Sequence, residues 1–284
     1  MPRIAIGPVP CARTLLICFG TLPVLLGADA TGAHAQATAA AGGQGIETRN
    51  EPIRVQPSEV VDGPVRARNG RISIGARADV GAIATRNGRI EVEEYTIVRG
   101  AVESRNGRVE LGEAVDVHGG VSTRNGAIDL GAGAQVYGPV ESRNGRIRLG
   151  EDGWIGGDVD TRNGAVDLAR GATVEGGVKT RNGSVRLEHA RVAGEIDVMN
   201  GDVHLGGATR VEGDLIVLMP EERGIWSWLP FLGSTRSDPV IRIEAGAYVG
   251  GRLIVDERAR LEIANGADVP EPEVYPSREA WERR

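Results

Sequence analysis

The sequence predicts an all-β chain, a single-stranded parallel β-solenoid (β-helix) of about ten rungs of 19 residues. Three observations carry that prediction. An Arg-Asn pair recurs eight times, with its asparagines at Asn50, Asn69, Asn87, Asn106, Asn125, Asn144, Asn163 and Asn182, and a degenerate ninth copy ends in Asn200. The steps between them are 19 residues except for two of 18, and a period that short and strict means one small unit stacked on itself. Between the copies, branched aliphatic residues alternate with polar ones, as in Ile128/Leu130 and Val109/Leu111, which is the period of a strand and not of a helix.

The repeat itself justifies each element. Numbered from its arginine, apolar residues occupy positions 5 and 7, then 13 and 17, giving two or three short strands per unit. The pair is preceded by Thr or Ser in every copy but that of Ala67, and followed by Gly in every copy but that of Asn50. Gly at position 3 is expected to supply the positive φ of a sharp corner. Rungs stacked about 4.8 Å apart would bring Asn69, Asn87, Asn106, Asn125, Asn144, Asn163 and Asn182 into one amide ladder. Strict alternation would turn these asparagines and the preceding Thr/Ser inward and the arginines outward.

Outside the repeat, residues 1–35 read as a secretory signal peptide. Arg3 and Arg13 precede an apolar stretch from Leu15 to Leu26, and Ala33-His34-Ala35 forms a small-x-small cleavage site. Cys11 and Cys18 both fall in that segment, so the remaining chain contains no disulfide and no thiolate. Removing Arg3, Arg13 and Asp29 changes the net charge from -6 to -7, which argues against general nucleic-acid binding. Residues 36–45 are Ala/Gly-rich and read as a flexible linker. The solenoid is expected over 46–269, with a loop insertion at 219–239 and a C-terminal tail at 270–284 that caps the last rung. The insertion holds Trp226, Trp228 and Phe231, apolar residues that either pack back on the solenoid or contact a partner, a glycan or a membrane surface.

The best functional signal is electrostatic. Outward positions 18, 1, 4 and 6 are expected on one edge, where seventeen cations face eight anions between Arg49 and Asp197. Arg86, Arg105, Arg124, Arg143, Arg162 and Arg181 would form a column able to grip a polyanion. The competing reading is a solvated ion lattice built from pairs such as Glu103/Arg105, Glu141/Arg143 and Asp160/Arg162. Glu141 and Asp160 fall on adjacent rungs, as a retaining glycosidase pair would. Each nevertheless has an arginine two residues away, which favours the ionised form over a general acid, and the rungs offer no aromatic platform for sugars. His118, His189 and His204 occupy different repeat positions, so no metal site is expected, and no cofactor is implied.

The unit Thr123-Arg124-Asn125-Gly126-Ala127-Ile128-Asp129-Leu130 resembles the β-strand repeats grouped as putative-adhesin domains of bacterial envelope proteins. The stretch Ala245-Gly246-Ala247-Tyr248-Val249-Gly250-Gly251-Arg252-Leu253 is similar to the repeats of bactofilins, which are polymer-forming solenoids. The resemblance carries over no catalytic residue. It implies an exported bacterial protein, periplasmic or extracellular, acting without catalysis as a scaffold or adhesin-like binding protein. The expected partner is an acidic polysaccharide or another envelope component. The alternatives are a structural protein assembling end to end, peripheral membrane contact through 219–239, and a β-helix polysaccharide lyase or hydrolase.

Overall fold

The computed structural model describes residues 45–220 and 238–283. The expected signal peptide, most of the linker, and Trp226, Trp228 and Phe231 lie outside the described residues. Within them, each repeat folds into three short strands, one in each of three parallel sheets of 12, 11 and 10 strands. The first sheet runs from Ile46–Thr48 to Pro272–Tyr275, the second from Ile53–Val55 to Arg260–Ile263, and the third from Val60–Val61 to Tyr248–Val249. In one rung, Val121–Thr123 belongs to the first sheet, Ile128–Leu130 to the second and Gln135–Val136 to the third. Every strand pairs with its equivalent one rung away, so Val121 faces Val102 and Val140, and Ile128 faces Val109 and Ile147. The chain is a β-solenoid of about 11 turns. Among the described residues no helix is long and apolar enough to cross a membrane.

The inward residues of the three sheets form one continuous core from Ile46 to Val255. A rung contributes Val121, Ile128, Leu130 and Val136, all buried, and each such side chain stabilises by about 1.5–3 kcal/mol when fully removed from water. No rung could bury these residues alone; each needs a neighbour above and below.

The corner between the first and second sheets departs from the expected chemistry. Gly107, Gly126, Gly145, Gly164 and Gly183 are not among the positive-φ residues. They are required for space instead: a Cβ on Gly126 would lie 2.1 Å from the carbonyl oxygen of Gly107, and one on Gly145 would lie 1.8 Å from that of Gly126. That carbonyl also receives the inward hydroxyl of the adjoining rung, as Thr123 Oγ1 donates to Gly107 at 3.3 Å and Thr161 to Gly145 at 3.2 Å. Positive φ occurs at a different corner, between the second and third sheets. There Arg77, Tyr95, Ala114, Gly133, Asp152 and Gly171 take the same place in successive rungs.

The tail does more than close the last rung. Pro272–Tyr275 adds a twelfth strand beside Leu253–Asp256, and a short helix, Arg278–Glu282, follows with Ser277 Oγ accepting from Ala280 N–H. The chain then lies back on the outer face of the first sheet, where Tyr275 and Trp281 pack against Ile216, Leu218 and Ile254. Arg278 pairs with Asp197. Buried Asp256 anchors this region, accepting from Met219 N–H at 3.0 Å and from Arg258 Nε at 2.8 Å. Burial works against its charge. The bonds from the Arg258 side chain, the Arg258 and Met219 amides and the Arg258 charge outweigh that, holding its carboxyl below the usual aspartate range.

Two predictions follow from these contacts. Ala114→Gly should stabilise the chain by up to about 1 kcal/mol by relieving a left-handed alanine, whereas Gly126→Ala should destabilise it by about 1–3 kcal/mol through backbone collision; chemical denaturation reads both. Because its folded pKa is depressed, Asp256 stabilises the fold above the ordinary aspartate pKa, and that contribution is lost as pH falls through the depressed value. Asp256→Asn should therefore cost about 1–3 kcal/mol at neutral pH and converge with wild type in acid, measured by hydrogen exchange of residues 272–283.

Candidate functional site

The corner joining the first and second sheets sets out the candidate site. Asn69 Nδ2 donates to Asn50 Oδ1 at 2.8 Å, Asn125 to Asn106 at 2.7 Å, and the series continues rung by rung to Asn200, which donates to Asn182 at 2.9 Å. The backbone repeats the pattern, with Asn125 N–H donating to the Arg105 carbonyl at 2.9 Å. The inward Thr/Ser residues from Thr85 to Thr180 are buried as expected and Thr48 is half-buried, but the asparagines from Asn50 to Asn182 are exposed. The chain bends at Arg-Asn-Gly, so strand alternation stops at the arginine and the amide ladder runs along the outside of the corner.

From Arg86 to Arg181, each corner arginine is thus held between a buried hydroxyl and a hydrogen-bonded asparagine. Arg49, Arg68, Arg86, Arg105, Arg124, Arg143, Arg162 and Arg181 are all exposed, one per rung. None of them has a side-chain hydrogen bond or ion pair among the described residues. In water, like charges about 4 Å apart repel by roughly 1 kcal/mol, so the column persists because the ladder and the core fix its spacing, against its own electrostatics. The residues from Arg49 to Arg162 form one wall of a groove of about 1240 Å³ that spans seven rungs. Its floor is the outer face of the first sheet, where Glu103, Ser122, Glu141 and Asp160 stand in register.

The ion lattice expected beside this column forms elsewhere. Glu103, Glu141 and Asp160 make no ion pair with Arg105, Arg143 and Arg162, although both sets line the groove; the chain leaves the strand for the bend at each arginine. Positions 4 and 6 lie on the second sheet, around the corner from the groove. There Arg89 forms ion pairs with Glu91 at 2.8 Å and with Glu110, Arg108 with Glu110 and Asp129 at 3.1 and 3.2 Å, and Arg146 with Asp167 at 3.3 Å. The hydrogen bond that Arg89 donates to Glu110 is the largest effect raising the Arg89 pKa. The single expected cationic edge is therefore two surfaces: on the second sheet Arg71, Arg89, Arg108 and Arg146 are paired, whereas Arg54, Arg148 and Arg186 are not, and at the corner none of the arginines is paired among the described residues.

The third sheet carries a feature that reading the sequence missed. The rings of His118 and Tyr137 meet edge to face at 5.5 Å, and those of Tyr137 and Trp154 at 5.2 Å. The Trp154 ring covers the space a Cβ on Gly156 would need, so it fills the column that His118 and Tyr137 occupy two rungs and one rung earlier. The signal was the shared repeat position of His118 and Tyr137, obscured because Trp154 is offset by two. His204 lies away from this ridge, between Glu188 and Glu244, with Nε2 2.9 Å from Glu244 Oε1. That contact is the main cause of the lowered Glu244 pKa. Among the described residues no group of three or more potential ligands could hold a metal ion.

No family model matches the chain, and neither a curated protein nor a solved structure matches it.

The amide ladder itself can be tested. Asn125→Asp removes the donor to Asn106 and sets a carboxylate against its Oδ1, which should destabilise the chain by about 1–3 kcal/mol. Thermal unfolding measures that loss, and an unchanged melting temperature would show the ladder to be ornamental.

Proposed function

We propose that this chain is an exported, non-catalytic binding protein of the bacterial cell envelope that holds a polyanionic glycan along the arginine groove. One observation carries this reading: among the described residues the eight corner arginines have no side-chain partner, although the neighbouring sheet shows that the same chain pairs arginine with carboxylate. Unpaired guanidinium groups at regular spacing offer forked donors to carboxylate, phosphate or sulfate. The repeat's resemblance to envelope adhesin domains agrees with such a role, and the leader-like first 35 residues agree with export.

Catalysis is the weaker reading. Glu141 and Asp160 are register partners on the groove floor, a spacing that suits a glycosidase pair. Both are exposed, whereas a general acid needs surroundings that keep it protonated. End-to-end assembly remains a second reading because Ile263 and Val274, on terminal strands, are exposed. Light scattering at rising concentration separates a monomer from a filament.

The binding reading predicts retention on an acidic-polysaccharide column at low salt and elution as salt rises. Reversing Arg105, Arg124 and Arg143 to Glu should lower affinity at least about tenfold, while reversing the paired Arg89 and Arg108 should leave retention close to wild type. A wild-type protein that passes through unretained at low salt would end the proposal.

A further inference from the structure

We infer that the occupant of this groove is a linear acidic polysaccharide with one carboxylate per sugar, laid along the solenoid axis. This deepens the polyanion reading and rests on it. The groove is lined by two columns of different character. Its wall is the unpaired arginine series, and its floor carries in register Glu47, Arg66, Ala84, Glu103, Ser122, Glu141 and Asp160, four acids to one cation. These carboxylates, like the arginines, have no ion pair or side-chain hydrogen bond among the described residues. A site for anions alone would not keep acids on its floor.

The two columns fit a polymer with two different edges. A sugar bearing one carboxylate presents a charged edge to the wall, where each guanidinium can bind it through paired N–H donors. Its hydroxyls face the floor, where they donate hydrogen bonds to Glu103, Glu141 and Asp160. A densely sulfated chain would set anions against those acids, each contact costing roughly 1 kcal/mol at 4 Å in water. Spacing gives the same answer. Parallel strands place successive arginines about 4.8 Å apart, close to the length of one sugar in an extended chain. Nucleic-acid phosphates repeat about every 3.4 Å of axis per strand, and fall out of step with the column within a few rungs. The corner arginines that line the groove run from Arg49 to Arg162, one on each of seven rungs, so the site accommodates about seven sugars.

The test uses the full chain, oligogalacturonates of increasing length, heparin and inorganic polyphosphate, titrated calorimetrically at fixed salt. Affinity for oligogalacturonate should rise with each sugar and level off near seven, and the longest should bind about tenfold more tightly than heparin or polyphosphate. The double variant Glu141→Gln, Asp160→Asn should weaken oligogalacturonate binding about tenfold, by removing two charge-assisted acceptors, and strengthen heparin binding. Circular dichroism confirms that the variant is folded. If heparin or polyphosphate binds as tightly as oligogalacturonate, or the double variant strengthens binding to all three, the polysaccharide assignment fails while the polyanion reading stands. If none of the three binds, both fall.

Discussion

The whole structure depends on identical backbone units meeting in register, so that every strand finds its hydrogen-bond partner in the next copy of itself. Parallel pairing of Val102 with Val121 and of Val121 with Val140 sets the axial spacing, and everything stacked on it inherits that spacing. The buried hydroxyls of Thr123 and Ser142 and the exposed amides of Asn125 and Asn144 are two further ladders on either side of the arginines. Arginines that would otherwise spread apart are held at the pitch of the sheet. The groove is therefore a direct product of the fold's periodicity.

Charge pairing explains why one face is a candidate site and another is not. On the second sheet, Glu110 receives both Arg89 and Arg108, so its neighbours are satisfied internally. At the corner, the bend carries Arg105 and Arg143 away from Glu103 and Glu141, although only one residue separates each pair. Proximity in sequence thus fails to become an ion pair because the backbone changes direction between the two residues.

Much of the fold was legible before any coordinates, because a 19-residue period with alternating aliphatic residues admits few architectures. The course of Val109/Leu111 and Ile128/Leu130 followed directly. The corner was harder. The role of Gly126 lay in the nearness of Gly107, a contact between rungs that no single repeat displays. The left-handed corner went unseen because Arg77, Tyr95, Ala114 and Asp152 share no residue type. The candidate site was half legible: the arginine column was visible as a repeat position, but its lack of partners was not. The return of the tail onto Ile216 and Ile254 was also hidden, since those residues interrupt the outward polar pattern without indicating what covers them.

The two 18-residue turns show where this chain tolerates a change of length. One shortening lies between Val80 and Ile83, where the third sheet returns to the first, and the other between Leu187 and Val192, at the left-handed corner. Neither touches an Arg-Asn corner. The long insertion, between Val217 and Val240, does occupy that place in its rung, but only after the asparagine series has ended at Asn200. A column of mutually bonded amides acts as a gauge that rejects any extra or missing residue, so new segments can be grafted at the other two bends, or beyond the gauge's end, without disturbing the ruler of charges beside it.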